Sequence, residues 1–336
     1  MSDEEQITLA HGSGGVLSRK LVRDRLLKFF TSPLLSELDD SALLEMDSGR
    51  TAFTTDTYVV DPIFFPGGDI GKLAVCGTVN DLAVVGARPR FISCALILEE
   101  GFPSEDLDRI LASMQAAADE ADVEVVTGDT KVVPRGKADG IFINTAGVGT
   151  FEDGAAPPRG EPRPGDRVVV SGPVGDHGAA VLGRREGLNL DSSAESDCAP
   201  LTDAAAAVRE AAERLSFMRD LTRGGLSTIL NEAAGDETGI VIREEDVPVR
   251  PSVRSLCELL GVDALYLACE GRLAAIVDAE SADEARDALR AVPGSEGAEV
   301  VGEVTEEYAG KVACETAYGT RRLLQMLSGE QLPRIC

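Results

Sequence analysis

The chain has 336 residues and is strongly acidic, with 58 Asp and Glu against 32 Lys and Arg and a net charge of −26. That balance argues against nucleic acid or an anionic membrane as a partner, and no apolar run reaches the roughly 18–20 residues that a membrane span needs. The length suggests two domains, and seven scattered cysteines without a CxxC pair argue against a structural zinc site or a disulfide framework. The first residues, Met1 to Glu5, are acidic and lack the apolar stretch of a secretory signal, so the cytoplasm is the expected location.

In chain order, a glycine-rich loop, His11-Gly12-Ser13-Gly14-Gly15, has the backbone freedom that a phosphate cradle needs, though an N-terminal loop needs it too. Leu17, Leu21, Leu26 and Leu27 suggest a helix. The run from Thr51 to Val60 reads as a strand with Asp56 inside it, where a carboxylate is costly unless paired, metal-bound or at a solvated edge. From Asp69 to Gly86 the apolar spacing is helical, and Asn80-Asp81 interrupts it with polar groups. Phe91 to Leu98 reads as a buried strand, and Ser104 as the cap of the next helix. Val123 to Val126 is a short strand expected to end in a turn, Thr127-Gly128-Asp129-Thr130-Lys131. Ile141 to Val148 is another strand.

Residues 152–166 are rich in proline and glycine and mark the domain boundary. Expected domains are 1–151, 167–327, and a mobile tail over 328–336. The second part alternates strand 167–171, helices near 176–186, 202–215 and 224–234, strand 239–243, helix 252–260, a strand pair near 264–278, helix 282–291 and strand 298–304. Asp220 precedes the helix near 224, whose free N–H groups would suit an anion. Glu270, in Cys269-Glu270-Gly271-Arg272, interrupts the strand pair, with a tight hairpin as its plain explanation. Ser281 and Glu284 form a capping-box pattern. Cys76 and Cys94 lie in apolar runs as ordinary buried residues do. Cys336, at the tip of Pro333-Arg334-Ile335-Cys336, is placed as an exposed, reactive thiol.

Asp40, Asp56, Asp81, Asp129 and Asp220 thus sit at or inside core elements. Hard oxygen ligands suit Mg²⁺, and carboxylates beside glycine-rich turns suit a nucleoside triphosphate. No GxxxxGK[ST] motif occurs, so the residues alone point to an Mg-nucleotide enzyme of a less common α/β type.

Six blocks carry a resemblance. They are His11-Gly-Ser-Gly-Gly, the run Thr54 to Ala83, Thr127-Gly-Asp-Thr-Lys-Val-Val, Asp220-Leu-Thr-Arg-Gly-Gly, Glu270-Gly-Arg and the terminal Pro-Arg-Ile-Cys. In this order they resemble the HypE family of NiFe-hydrogenase maturation proteins. The resemblance implies an α/β plus α+β, two-domain architecture like aminoimidazole ribonucleotide synthetase, with the N-terminal domain pairing in a homodimer and ATP and Mg²⁺ between the domains. It also implies the reaction. A HypF-type partner carbamoylates Cys336, ATP drives dehydration of that thiocarboxamide to a thiocyanate, and cyanide passes to iron on a HypC–HypD complex. By motif, Asp40 (with Asp39 adjacent), Asp56, Asp81 and Asp220 would hold Mg²⁺ and phosphates, and Thr127, Gly128 and Asp129 the nucleotide. Lys131 and Glu270 would flank the thiocarboxamide, Glu270 as base. Selenophosphate synthetase is disfavoured because that family needs a cysteine or selenocysteine in its N-terminal glycine-rich loop, and His11-Gly-Ser-Gly-Gly-Val has neither. A non-catalytic carrier and a Cys336 redox switch remain as the other classes.

Overall fold

The structure is a computed structural model describing residues 15–24, 27, 29, 41–46, 49–152, 157–187, 194–327 and 334–336. Asp39, Asp40, the glycines of the His11 loop before Gly15, and residues 328–333 of the tail lie outside the described residues.

The first half, after helix α1 (Gly15–Asp24), is a mixed five-stranded sheet in the order β1-β2-β7-β5-β6. Its strands are β1 (Ala42–Met46), β2 (Gly49–Tyr58), β5 (Arg88–Glu99), β6 (Glu124–Val133) and β7 (Ile141–Thr150), with a small β3 (Phe64–Phe65) and β4 (Gly68–Asp69) ladder beside it. Only β5 and β6 pair in parallel. Helix α2 (Ile70–Val84) follows β4, and α3 (Ser104–Glu120) connects β5 to β6.

Helix α2 is the pivot of the molecule. Asp69 caps it, accepting from the amides of Gly71 (2.8 Å) and Lys72 (3.1 Å), which satisfies donors that a helix start leaves open. Thirteen of its fifteen residues are buried, as expected of a helix that is apolar on all sides. It packs on β2, β5 and β7, on α3, and on the second half of the chain. Gly77 lets it approach Tyr58, because a Cβ there would lie 2.2 Å from the phenol oxygen.

The second half is a seven-stranded sheet, β14-β13-β10-β12-β8-β11-β9. It comprises β8 (Arg167–Val170), β9 (Leu215–Asp220), β10 (Gly239–Arg243), β11 (Leu273–Val277), β12 (Glu299–Thr305), β13 (Val312–Glu315) and β14 (Arg321–Leu324). Helices α5 (Thr202–Ala211) and α8 (Ala282–Arg290) share a core with β8 and β11. Helix α6 (Gly225–Ala233) packs into a second core, and α4 (Asp176–Arg185) and α7 (Pro251–Leu260) into a third. The two halves are not merely adjacent: the core around α2 includes Val181, Cys198, Ala268 and Ile335.

Three local expectations are corrected. The segment expected as a strand pair near 264–278 is a 3-10 turn (Ala264–Tyr266), an irregular stretch and one strand, β11, because the main chain around Glu270 bonds to neighbouring loops instead of to a hairpin partner. Strand β6 runs straight through Thr127 to Lys131 rather than turning there. Neither Ser104 nor Ser281 makes a side-chain cap bond; the Ser281 hydroxyl donates to Asp278 at 2.7 Å.

Candidate active site

The end of β2 and the buried flank of α2 supply one wall. Asp56 is half-buried; burial pushes its carboxyl up, against a hydrogen bond from the Tyr58 hydroxyl (2.9 Å) and the field of Arg223. Tyr58 is itself buried, and burial followed by the Asp56 charge drives its phenol well above the usual range, with Asp81 and Glu270 adding to the effect. Thr54 donates to Asp81 Oδ2 at 2.7 Å. These polar groups are side by side on one face of the sheet, under the helix.

The opposite wall comes from the second half. Asp220 closes β9 and is 5% exposed. Arg223 sits in the turn into α6, which depends on the positive φ of Gly224 and Gly225. Glu270 is 3% exposed, and its Oε1 has no hydrogen-bond partner. Burial, then the carboxylates of Asp220, Asp197 and Asp56, hold its carboxyl well above the usual range, with Arg223 opposing.

Glu270 is held by its main chain. Asp197 Oδ1 accepts from its N–H at 3.2 Å, and Asn80 Nδ2 donates to its carbonyl at 3.2 Å. Asn80 also donates to the Ala199 carbonyl (3.1 Å) and accepts from the Leu201 amide (2.8 Å). A residue of α2 therefore fixes a residue of the other half. Gly271 is required in this clamp, since a Cβ there would come within 1.8 Å of the Asp197 carbonyl oxygen.

The terminal segment lies in the same cleft. Val59 N–H donates to the Cys336 carbonyl oxygen (3.2 Å) and Asp61 N–H to that of Arg334 (3.1 Å), an antiparallel, strand-like pairing. The Arg334 guanidinium donates to Val59 O at 2.8 Å and pairs with Asp139. Ile335 is 3% exposed within the α2 core. The expectation of an exposed thiol is thus corrected. Cys336 is half-buried, and its thiol is pushed up to about 12, by burial first, with Glu270, Asp56 and Asp220 adding and Arg223 opposing. The reason is local: Ile335 is a hydrophobic anchor, and each described tail carbonyl finds a donor.

The AIR synthase related protein family matches this chain twice, its N-terminal domain over residues 38–151 and its C-terminal domain over 163–315. Carbamoyl dehydratase HypE of Rhodobacter capsulatus is 51% identical, over 99% of both chains. That of Escherichia coli K12 is 45% identical, over 98% of this chain and 99% of its own. The chain belongs to the HypE family. A crystal structure of HypE in complex with ATP superposes with a TM-score of 0.81 at 49% identity, covering 98% of this chain and 100% of that one. The HypE–HypF complex gives 0.84 at 42% identity over 91% and 99%. Thiamine monophosphate kinase of Aquifex aeolicus, at 20% identity and a TM-score of 0.66, shares the fold alone. Membership in the HypE family makes the chain an enzyme of the carbamoyl dehydratase type, and its fold class is the two-domain architecture expected from the sequence.

Within this HypE chain the expected site residues divide. Asp56, Asp220, Glu270 and Cys336 come together around Arg223, and Asp81 stands beside them, bonded to Thr54 and within the field of Tyr58. Thr127, Gly128, Asp129 and Lys131 are not among them. In the strand register Asp56 pairs with Thr145, Thr145 with Cys94 and Cys94 with Gly128, so three strand spacings, about 14 Å, separate them. Asp129 is opposite Ala95 in the register, in line with Asn144 and Thr57 on the uncovered face of the sheet. Lys131 is exposed and paired with Asp129 at 2.7 Å, and that partner holds the Asp129 carboxyl below its usual range. The placement of Lys131 beside Glu270 is therefore corrected for a single chain. Sequence reasoning also missed Arg223 and His177, and noted Asn80 only as a polar interruption of its helix. All three lie in blocks or segments read for other residues, and an arginine between Asp220 and two glycines was the available signal for the first.

Among the described residues no three His, Cys, Asp or Glu form a ready cation cage. Mg²⁺ is ordinarily held by one or two carboxylates together with substrate phosphates. Asp56 and Asp220 fit that arrangement, being hard oxygen donors set with Glu270 around Arg223.

Proposed function

We propose that this protein dehydrates an S-carbamoyl group on Cys336 to S-cyanocysteine at the expense of ATP, so supplying a cyanide ligand for the iron of a NiFe hydrogenase. The observation that carries this reading is the seating of the Cys336 thiol among Asp56, Asp220, Arg223 and Glu270, in a cleft whose relatives include a HypE crystallised with ATP.

The chemistry assigns each group a task. An amide oxygen leaves poorly; phosphoryl transfer from ATP to the thiocarboxamide oxygen, with loss of one N–H proton, turns it into phosphate. Loss of the second N–H proton as the C–O bond breaks gives the nitrile, ADP and phosphate. Mg²⁺ would be held by Asp56 and Asp220, with Asp81 and Asp40 completing the acidic set, and would neutralise charge on the phosphates. Arg223 lies where it would steady the developing anion. Glu270 is the base for an N–H proton, fixed in place by Asn80 and Asp197. Because its carboxyl is held above the usual range, it accepts a proton only above that raised value, so nitrile formation should rise with pH beyond the ordinary glutamate range. The seated Cys336 thiol, pushed up to about 12, is no nucleophile at neutral pH. Carbamoyl loading by a HypF-type enzyme therefore belongs to a state in which residues 334–336 have left this seat. Delivery to a HypC–HypD-type complex would need that departure too.

The edge position of β6 bears on the remaining residues. Its exposed Val125, Val126 and Val132 join Phe53, Phe91 and Ile97 as exposed apolar groups on this sheet, and such an area suits a second copy of the chain. We read Thr127, Gly128, Asp129 and Lys131 as contributions to a site shared in a cytoplasmic homodimer of domains 1–151 and 167–327. Two experiments test the reading. Glu270→Gln should retain ATP binding and lose the ATP-dependent loss of water from the carbamoylated C-terminal peptide; unchanged turnover removes Glu270. Mixing Glu270→Gln with Lys131→Ala subunits should restore part of the activity neither has alone, and no restoration removes the shared site.

A further inference from the structure

His177 is one of two histidines in the chain and is wholly buried near the start of α4. Its Nε2 is 2.7 Å from the Ile335 carbonyl oxygen, and its Nδ1 is 2.8 Å from Ser196 Oγ. The Phe65 ring meets it edge-on, with centroids 5.2 Å apart and planes at 90°, which fixes the imidazole plane. Burial lowers the affinity of the ring for a second proton.

The hydrogen-bond roles follow from the partners. A carbonyl oxygen only accepts, so Nε2 carries the proton; the neutral ring then has a lone pair on Nδ1, which takes the Ser196 hydroxyl hydrogen. Ser196 Oγ in turn accepts from the Cys198 amide at 3.1 Å. Between these two residues stands Asp197, whose side chain holds the Glu270 N–H. The main chain of Ser196 is also tied down, donating to the Pro66 carbonyl at 2.8 Å. The segment that binds the imidazole thus also binds the base.

We propose that His177 is a positioning residue, the latch that seats the tail by its Ile335 carbonyl and, through Ser196 and Asp197, couples that seat to the placement of Glu270. The proposal rests on the reading of Cys336 as carrier. His177 touches neither the thiol nor a reacting atom; it acts through the main chain of the residue before the cysteine. Nothing in the chemistry of dehydration asks for a histidine here, and the buried, doubly bonded ring is explained by recognition of the tail.

The test uses two substitutions that divide the functions of the ring. His177→Asn keeps an acceptor near Nδ1 for Ser196 and loses the reach to Ile335; His177→Gln restores a donor near Nε2. Brief iodoacetamide labelling of the full-length protein, read by the mass of the C-terminal peptide, should show Cys336 reacting roughly tenfold faster or more in the Asn variant, the scale of one lost buried hydrogen bond. Labelling of Cys76 and Cys198 should stay low, and the Gln variant should recover much of the protection. Nitrile formation should fall and recover in the same order. Equal Cys336 labelling in wild type and Asn variant overturns the latch, whatever the dehydration assay gives. Faster labelling together with a wild-type protein that never loses water leaves the latch standing and removes the dehydratase reading instead. Should the Asn variant not fold, ¹⁵N spectra of the two histidines in the wild-type protein decide: a neutral Nε2–H ring at His177 is expected, and an Nδ1–H ring overturns the proposal.

Discussion

Replacing Asn80 by alanine tests whether the two halves are joined at Glu270. Asn80 is 1% exposed and makes three hydrogen bonds, to Ala199, Glu270 and Leu201. The Glu270 carbonyl would keep a long contact from the Ala199 amide at 3.4 Å, but the Leu201 N–H and the Ala199 carbonyl would lose the side-chain partner. Two buried groups left short at about 1–3 kcal/mol each give an expected loss of about 4 kcal/mol, with about 2–6 as the range. Because a two-domain protein need not unfold in one step, the assay should pair urea unfolding with hydrogen exchange of the Leu201 amide. That amide should exchange much faster in the variant, and nitrile formation should fall as Glu270 loosens. Asn80→Asp sharpens the test. It keeps an acceptor for Leu201 but turns carboxylate oxygen towards two carbonyls, so it should be at least as destabilised at neutral pH and recover partly in acid. A loss below about 1 kcal/mol with Leu201 exchange unchanged would refute the clamp.

Gly271→Ala should be severe, since a Cβ 1.8 Å from the Asp197 carbonyl oxygen forces backbone, not a flexible side chain, to move; a variant with wild-type melting and turnover would show that the loop yields freely. Asp176, 1% exposed, has its carboxyl raised to about 6, by burial first and then Asp197, with Arg250 opposing. A carboxyl raised on folding favours the folded state at low pH, and that contribution is lost as pH climbs from its ordinary value through about 6. Asp176→Asn should therefore match wild type near pH 4 and be more stable at pH 8, by up to about 3 kcal/mol for a shift of about two units. Urea midpoints at the two pH values measure this, and a variant less stable at pH 8 would reverse the argument.

The sequence was most readable where pattern and chemistry agreed. The all-round apolar run from Ile70 to Val84 announced a buried helix, and Asp81 within it announced a polar site beside that helix. The glycine- and proline-rich stretch 152–166 separated the two sheets. It failed where a residue acts across the fold. Nothing in the spacing of Asn80 says that it will bind a carbonyl at Glu270, 190 positions away. The Thr127 to Lys131 block looked like a ligand-binding turn because threonine, glycine and aspartate suit turns, but sheet pairing with β5 overrode local preference. The exposure of Cys336 was misjudged for a related reason. A short terminal segment with a proline reads as loose, and only the assembled cleft offers the donors that hold residues 334–336. Strands β1, β9, β13 and β14 went unread, three of them being only four or five residues long.

The exposed strand β6 has a consequence beyond any ligand. An edge strand with free main-chain groups and apolar side chains is a template for pairing with whatever strand arrives. Val125-Val126 and Val132-Val133 would make such a template here. The five residues between them, Thr127-Gly128-Asp129-Thr130-Lys131, break the apolar run with a glycine and an ion pair, as gatekeeping charges do in chains that must stay out of aggregates. Solubility while this edge is uncovered should then depend on the same short block, and substitutions within it made to probe nucleotide binding should also change how much protein survives to be assayed.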